Sequence, residues 1–193
     1  MPLDLIKQFN WLDGLVVILL FRICYVGIKN GLPVEFFKLL GTILANYLSM
    51  HYYTPLSDFI RVRLGQEKTF FSLLDPLCFV VLAMLGYFIF VLLRNVFCRF
   101  IKTEATPNLN KWGGFILGIA RAALLISLII FVLVISAIGY LKKSVKDSYS
   151  AKYLVKIAPA TYAVLWNNFT PKFMAAEKFN EAILGVQEEF KQE

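Results

Sequence analysis

Asp13, Arg22, Glu35, Lys38, Arg94 and Arg121 lie inside long apolar runs or at their ends. A charged side chain at the centre of a hydrocarbon-embedded helix costs roughly 2.5–3.5 kcal/mol on insertion scales. Such groups therefore face protein or water, find partners, and mark candidate functional positions. Asp13, Arg121, Arg22 and Glu35 are the buried-charge candidates. Asp13 and Arg22 are separated by about 13.5 Å of helix rise and point in opposite directions, so they cannot pair on one straight helix. Glu35 and Lys38 have the spacing of a local ion pair, expected to be solvated near the membrane surface. Arg94 ends an apolar run, where its stem can carry the charge to headgroups. Arg121 sits well inside the last long run. An Asp13–Arg121 pair is expected if the two depths match; otherwise Asp13 lies at the interface and Arg121 reaches a phosphate.

The remaining reactive side chains are sparse. His51 stands beside Tyr52 and Tyr53, and is expected at the membrane interface, where Trp11 and Trp112 also fit as anchors. Cys24, Cys78 and Cys98 show no CxxC spacing, and one histidine cannot complete a Cys/His metal site. Buried free thiols are expected. No HExxH, GxSxG or Walker loop occurs. The chain is thus expected to have no catalytic residues, no cofactor and no metal.

The elements that must hold these groups are apolar helices. Only 17% of the 193 residues are charged, 59% are hydrophobic, and mean hydropathy is +0.66. Soluble domains carry about a quarter charged residues. The net charge of +7 is dispersed between apolar runs, which fits membrane-flanking loops and speaks against a nucleic-acid surface. Runs of roughly 20 apolar residues are long enough to cross a bilayer.

The pattern predicts an all-α membrane protein with four transmembrane helices and a C-terminal amphipathic helical tail. The spans cover about 11–28, 34–52, 74–94 and 113–140, giving a membrane domain of 1–141 and a tail of 142–193. The first run lacks a small-residue cleavage site, so an uncleaved span is expected. Pro33 suits the first turn of the second helix. Residues 54–68 read as a loop or short surface helix. Asp75-Pro76 reads as an N-cap and first-turn proline.

Gly41, Ala45 and Ser49 repeat every fourth residue, as do Gly114, Gly118 and Ala122. Small residues at that spacing let helix backbones approach closely in lipid. Both stripes are expected to pack on other helices, within the chain or across an oligomer. In the tail, Phe173, Ala176, Phe179, Ile183, Val186 and Phe190 form a helical seam with an acidic-leaning polar face. It predicts protein contact, either docking on the core or self-association.

Several segments resemble the colicin V production protein family. They are Asn10-Trp11-Leu12-Asp13; Gly27-x-x-x-Gly31 with Glu35; Leu39-Leu40-Gly41; His51-Tyr52-Tyr53-x-Pro55-Leu56-Ser57; and Gly113-Gly114-x-x-x-Gly118-x-x-Arg121. The resemblance covers about residues 10–140. Lys111-Trp112 stands where such proteins usually carry Asp-Arg, and Ala122 where Gly often follows the arginine. The resemblance implies a multi-pass protein of the bacterial inner membrane, acting in production or export of a peptide toxin or in envelope maintenance.

The expected partners are the lipid bilayer, further copies of the chain, and membrane export or envelope proteins, with no nucleic acid. The alternative is an oligomeric channel or small transporter using Asp13 and Arg121. The distribution of basic residues leans toward both termini in the cytoplasm.

Overall fold

A computed structural model describes residues 10–64, 73–100, 106–168 and 177–189. Its elements are α1 (Trp11–Asn30), α2 (Leu32–Leu64), α3 (Leu74–Phe100), α4 (Pro107–Ile135), α5 (Gly139–Asp147), α6 (Tyr149–Leu154), α7 (Ile157–Asn168) and α8 (Ala182–Glu189).

Among the described residues, three helices are long and apolar enough to cross a membrane: Trp11–Asn30, Leu74–Val96 and Pro107–Ile135. Four were expected, and the difference is α2. Between Glu35 and His51 it buries Glu35, Thr42, Asn46, Ser49 and His51. Those polar side chains lower its hydropathy while facing other helices.

Other boundaries also differ. α2 runs on through Pro55 to Leu64, where a loop or separate surface helix was expected at 54–68. α3 begins at Leu74, placing Asp75 in its first turn rather than at its cap. α4 ends at Ile135, not near Tyr140, and Ser136 Oγ donates to the Leu133 carbonyl at the break.

α1 turns into α2 at Gly31, whose φ of +78° lies in the left-handed region that favours glycine. Asn110 closes this turn, its Oδ1 accepting the Leu32 N–H at 2.7 Å. α2 packs along α3: Gly41 meets Phe90, Ala45 meets Gly86, and Tyr53 stacks edge-on against Phe79. Arg61 of α2 reaches Asp75 of α3 at 2.6 Å.

α1 crosses α4 at Gly27, Gly114 and Gly118. A Cβ on Gly27 would stand 2.6 Å from the Gly114 carbonyl oxygen. The small-residue faces of both expected stripes therefore pack within this chain.

The residues after α4 fold back onto the helices. Val145, Ala151 and Val155 join Leu12, Val16, Ile126 and Ile130 in one core cluster. Ala158, Tyr162 and Ile183 join Met50, Phe79 and Phe131 in a second. Of the expected seam, residues 177–181 are non-helical and helix runs from Ala182 to Glu189. Ile183 and Val186 lie on it, Phe179 precedes it, and Phe173, Ala176 and Phe190 lie outside the described residues.

Candidate functional site

Three clusters of buried polar groups stand out among the described residues. The first is built on Glu35, in the opening turn of α2, which is 0% exposed. Its Oε1 accepts Asn30 Nδ2 at 2.7 Å and Lys38 Nζ at 3.2 Å. Its Oε2 stands 2.9 Å from Arg121 Nε of α4. That approach is off the N–H axis, so the contact is an ion pair rather than an aligned hydrogen bond. One carboxylate thus serves two cations and an amide. The expected solvated Glu35–Lys38 pair is corrected to this buried cluster, because the Gly31 turn brings the start of α2 against α4.

Asp13 does not reach Arg121. Its Oδ1 accepts the Ser148 hydroxyl at 2.8 Å, the Ser150 N–H at 2.9 Å, and the Ser150 hydroxyl. Its Oδ2 accepts the Asn10 N–H at 3.1 Å. The reason is depth. α1 and α4 run antiparallel, with a Cβ on Gly118 meeting Cys24 Cα at 3.7 Å. At about 1.5 Å per residue, Asp13 and Arg121 are roughly 12 Å apart along the axes. Asp13 instead latches the start of α1 to the α5–α6 junction. There, Asn10 Nδ2 also donates to the Ser144 carbonyl, and Trp11 Nε1 to the Ser144 hydroxyl.

The third cluster surrounds His51. It is buried among the helices, as is Tyr53. His51 Nδ1 lies 2.9 Å from the Tyr162 hydroxyl, and Nε2 lies 2.8 Å from Glu177 Oε2. Tyr52 donates to Glu177 Oε1 at 2.7 Å. The carboxylate beside Nε2 favours the proton there, leaving Nδ1 to accept from Tyr162. Burial pushes the Tyr162 phenol up to about 12, so it remains a hydroxyl donor at neutral pH. The imidazole stacks between Tyr47 and Trp166. An open cleft of about 440 Å³ lies alongside, lined by His51, Pro55, Asp58, Glu177 and Lys178 among others.

Of the remaining candidates, Arg22 is exposed on α1 and is not a buried charge, since its helix turns that face away from α4. Arg94 is half-buried beside Asn95. Gly41, Ala45, Ser49, Gly114, Gly118 and Ala122 are all buried. Cys24 and Cys78 are free and buried, while the Cys98 side chain lies outside the described residues. Among the described residues, no three His, Cys, Asp or Glu side chains are grouped to hold a metal ion.

Sequence reasoning missed Tyr162, Glu177, Ser148 and Ser150. Each is a commonplace polar residue downstream of the apolar runs and acquires its role only when the chain folds back. Asn46 and Ser127 gave a stronger signal, being polar within apolar runs. They hold the start of α7: Ser127 Oγ accepts the Ala158 N–H at 2.8 Å, and Asn46 donates to the Ala158 carbonyl at 2.9 Å.

The family model described as colicin V production protein matches residues 12–159. No curated protein and no solved structure matches the chain.

Proposed function

The chain belongs to the colicin V production protein family, and on that footing we propose that it is a non-catalytic accessory protein of the bacterial inner membrane. It acts in production or export of a colicin V-like peptide toxin, or in envelope maintenance, by assembling with itself or with other membrane proteins. The observation carrying this reading is the family match, which spans α1, α2, α3, α4 and the Glu35–Arg121 pair. Its long apolar helices make it a multi-pass membrane protein.

α2 is read as the fourth crossing. It pairs with α3 from Gly41 against Phe90 down to Arg61 against Asp75. An element matched so fully to a spanning helix occupies the same depth, with its polar side chains shielded by neighbours.

The internal charges support a scaffold. Glu35 and Arg121 answer each other, and Asp13 is held by serines. The small-residue faces are used within the chain, so assembly contacts would fall on its other faces. The alternative, an oligomeric channel using Asp13 and Arg121, would need those separated groups to share a polar path.

Site-specific photo-crosslinking in native membranes tests the reading. Probes on the outward faces of α1 and α3 should give oligomeric or heteromeric products. Only monomer from every probe position would refute it.

A further inference from the structure

The structure carries a groove that none of this uses. α3 and α4 touch only sparsely and leave an apolar cavity of about 310 Å³ between them. Ala45 of α2 lies in it; Val80, Ala83, Met84 and Tyr87 of α3 and Leu128 of α4 are among its walls. Its lining is almost wholly hydrocarbon, and it opens along two membrane-spanning helices. Water gains nothing there, because a bound water needs polar partners.

The groove has a charged end. Val80, Met84, Tyr87, Val91 and Arg94 follow one another at steps of three and four along a single face of α3. Tyr87 lines the groove and also packs with Phe37, Lys38, Phe90, Val91 and Arg94 around a crevice too narrow for a water molecule. On α2, Lys38, Gly41 and Ala45 likewise share a face. Both helices therefore lead from the apolar groove to a cation. Glu35 is the carboxylate beside Lys38, and it already faces Arg121. Glu35, Lys38 and Arg121 together carry one surplus positive charge, and Arg94 adds another.

We propose that this is a binding site for an anionic phospholipid, with one acyl chain in the α3–α4 groove and the phosphate at the partly exposed outer ends of Lys38 and Arg94. From the level of Phe79 to that of Tyr87 the groove runs about 12 Å along α3, which accommodates an extended stretch of acyl chain. Arg94 stands two turns beyond Tyr87, about 10 Å farther toward the headgroups.

The test uses the full chain in mild detergent, with bound adducts measured by native mass spectrometry. The probes are dioleoyl phosphatidylglycerol, dioleoyl phosphatidylcholine and inorganic phosphate. Phosphatidylglycerol should be retained at least about fivefold better than phosphatidylcholine, and Arg94→Gln should lower its retention about fivefold. Ala83→Phe, which fills the groove, should lower retention of both lipids. If Ala83→Phe fails to fold, Met84→Trp at the rim, where Met84 is 67% exposed, takes its place.

Equal retention of the two lipids, or unchanged phosphatidylglycerol retention in Arg94→Gln, overturns the proposal. So does inorganic phosphate binding as well as the lipid. A change of oligomeric mass in Ala83→Phe with lipid retention intact assigns the groove to a second copy and equally overturns it.

Discussion

Removing Arg121 by Arg121→Leu leaves Glu35 fully buried with Lys38 and Asn30 as its remaining partners. Breaking a buried ion pair by deleting one member costs about 3–5 kcal/mol. The two surviving donors place this variant near the lower end, at about 3 kcal/mol. Glu35→Gln leaves the buried Arg121 guanidinium without its carboxylate and belongs at the upper end, about 4–5 kcal/mol. The double variant Glu35→Gln/Arg121→Leu removes both opposing charges. It is expected to be less destabilised than the sum of the singles by about 2–3 kcal/mol, since a stranded charge is the main cost in each. The assay is a double-mutant cycle of reversible unfolding in bicelles or mixed micelles. Additive single-variant effects would refute the reasoning and mean that the 2.9 Å contact carries no coupling.

Gly114→Leu should lower stability by about 1–3 kcal/mol or more, because the added side chain meets the Gly27 carbonyl and must force α1 from α4; thermal unfolding in detergent reads this. Asp13→Ala strands the hydrogen-bond donors of Ser148 and Ser150 and should cost about 1–3 kcal/mol, seen as faster protease cleavage at the α5–α6 junction with α1–α4 intact. Glu177→Gln should loosen the segment leading into α8, raising hydrogen exchange at residues 180–186 while leaving α1 unchanged. Tyr162 lies on α7, which is not one of the candidate spans, and its folded pKa is raised from 10.0 to about 12, chiefly by burial. Its contribution to stability is therefore fully present below pH 10 and lost as pH rises through about 12. Subtracting the Tyr162→Phe profile from wild type should show that loss between those values; a flat difference would contradict it.

The long helices were legible because lipid imposes a composition that a single chain displays directly. Leu74–Val96 and Pro107–Ile135 stand out by hydropathy alone. α2 was only half legible: 34–52 reads as a span, but Pro55 and the charged side chains after it look like a loop until the helix is seen to continue along α3 to Arg61 against Asp75. The small-residue spacing at Gly114 and Gly118 announced close packing but not the partner, Gly27. That required the tertiary contacts, in which the Gly31 turn meets Asn110 and Gly114 at the start of α4 and α1 runs antiparallel to it. The charged residues were legible as exceptions, yet their pairings were not. Asp13 pairs with serines more than 130 positions away, and no periodicity carries such information. The aromatic stack on His51 was hidden for the same reason, because Tyr162 and Trp166 come from a helix that folds back under α2.

Ion flux through the reconstituted protein tests the scaffold account most directly. Liposomes bearing the wild-type chain should leak cations and anions no faster than empty liposomes, and Arg121→Leu should not change that. A robust flux in wild type, abolished by Arg121→Leu in protein that remains folded, would contradict it.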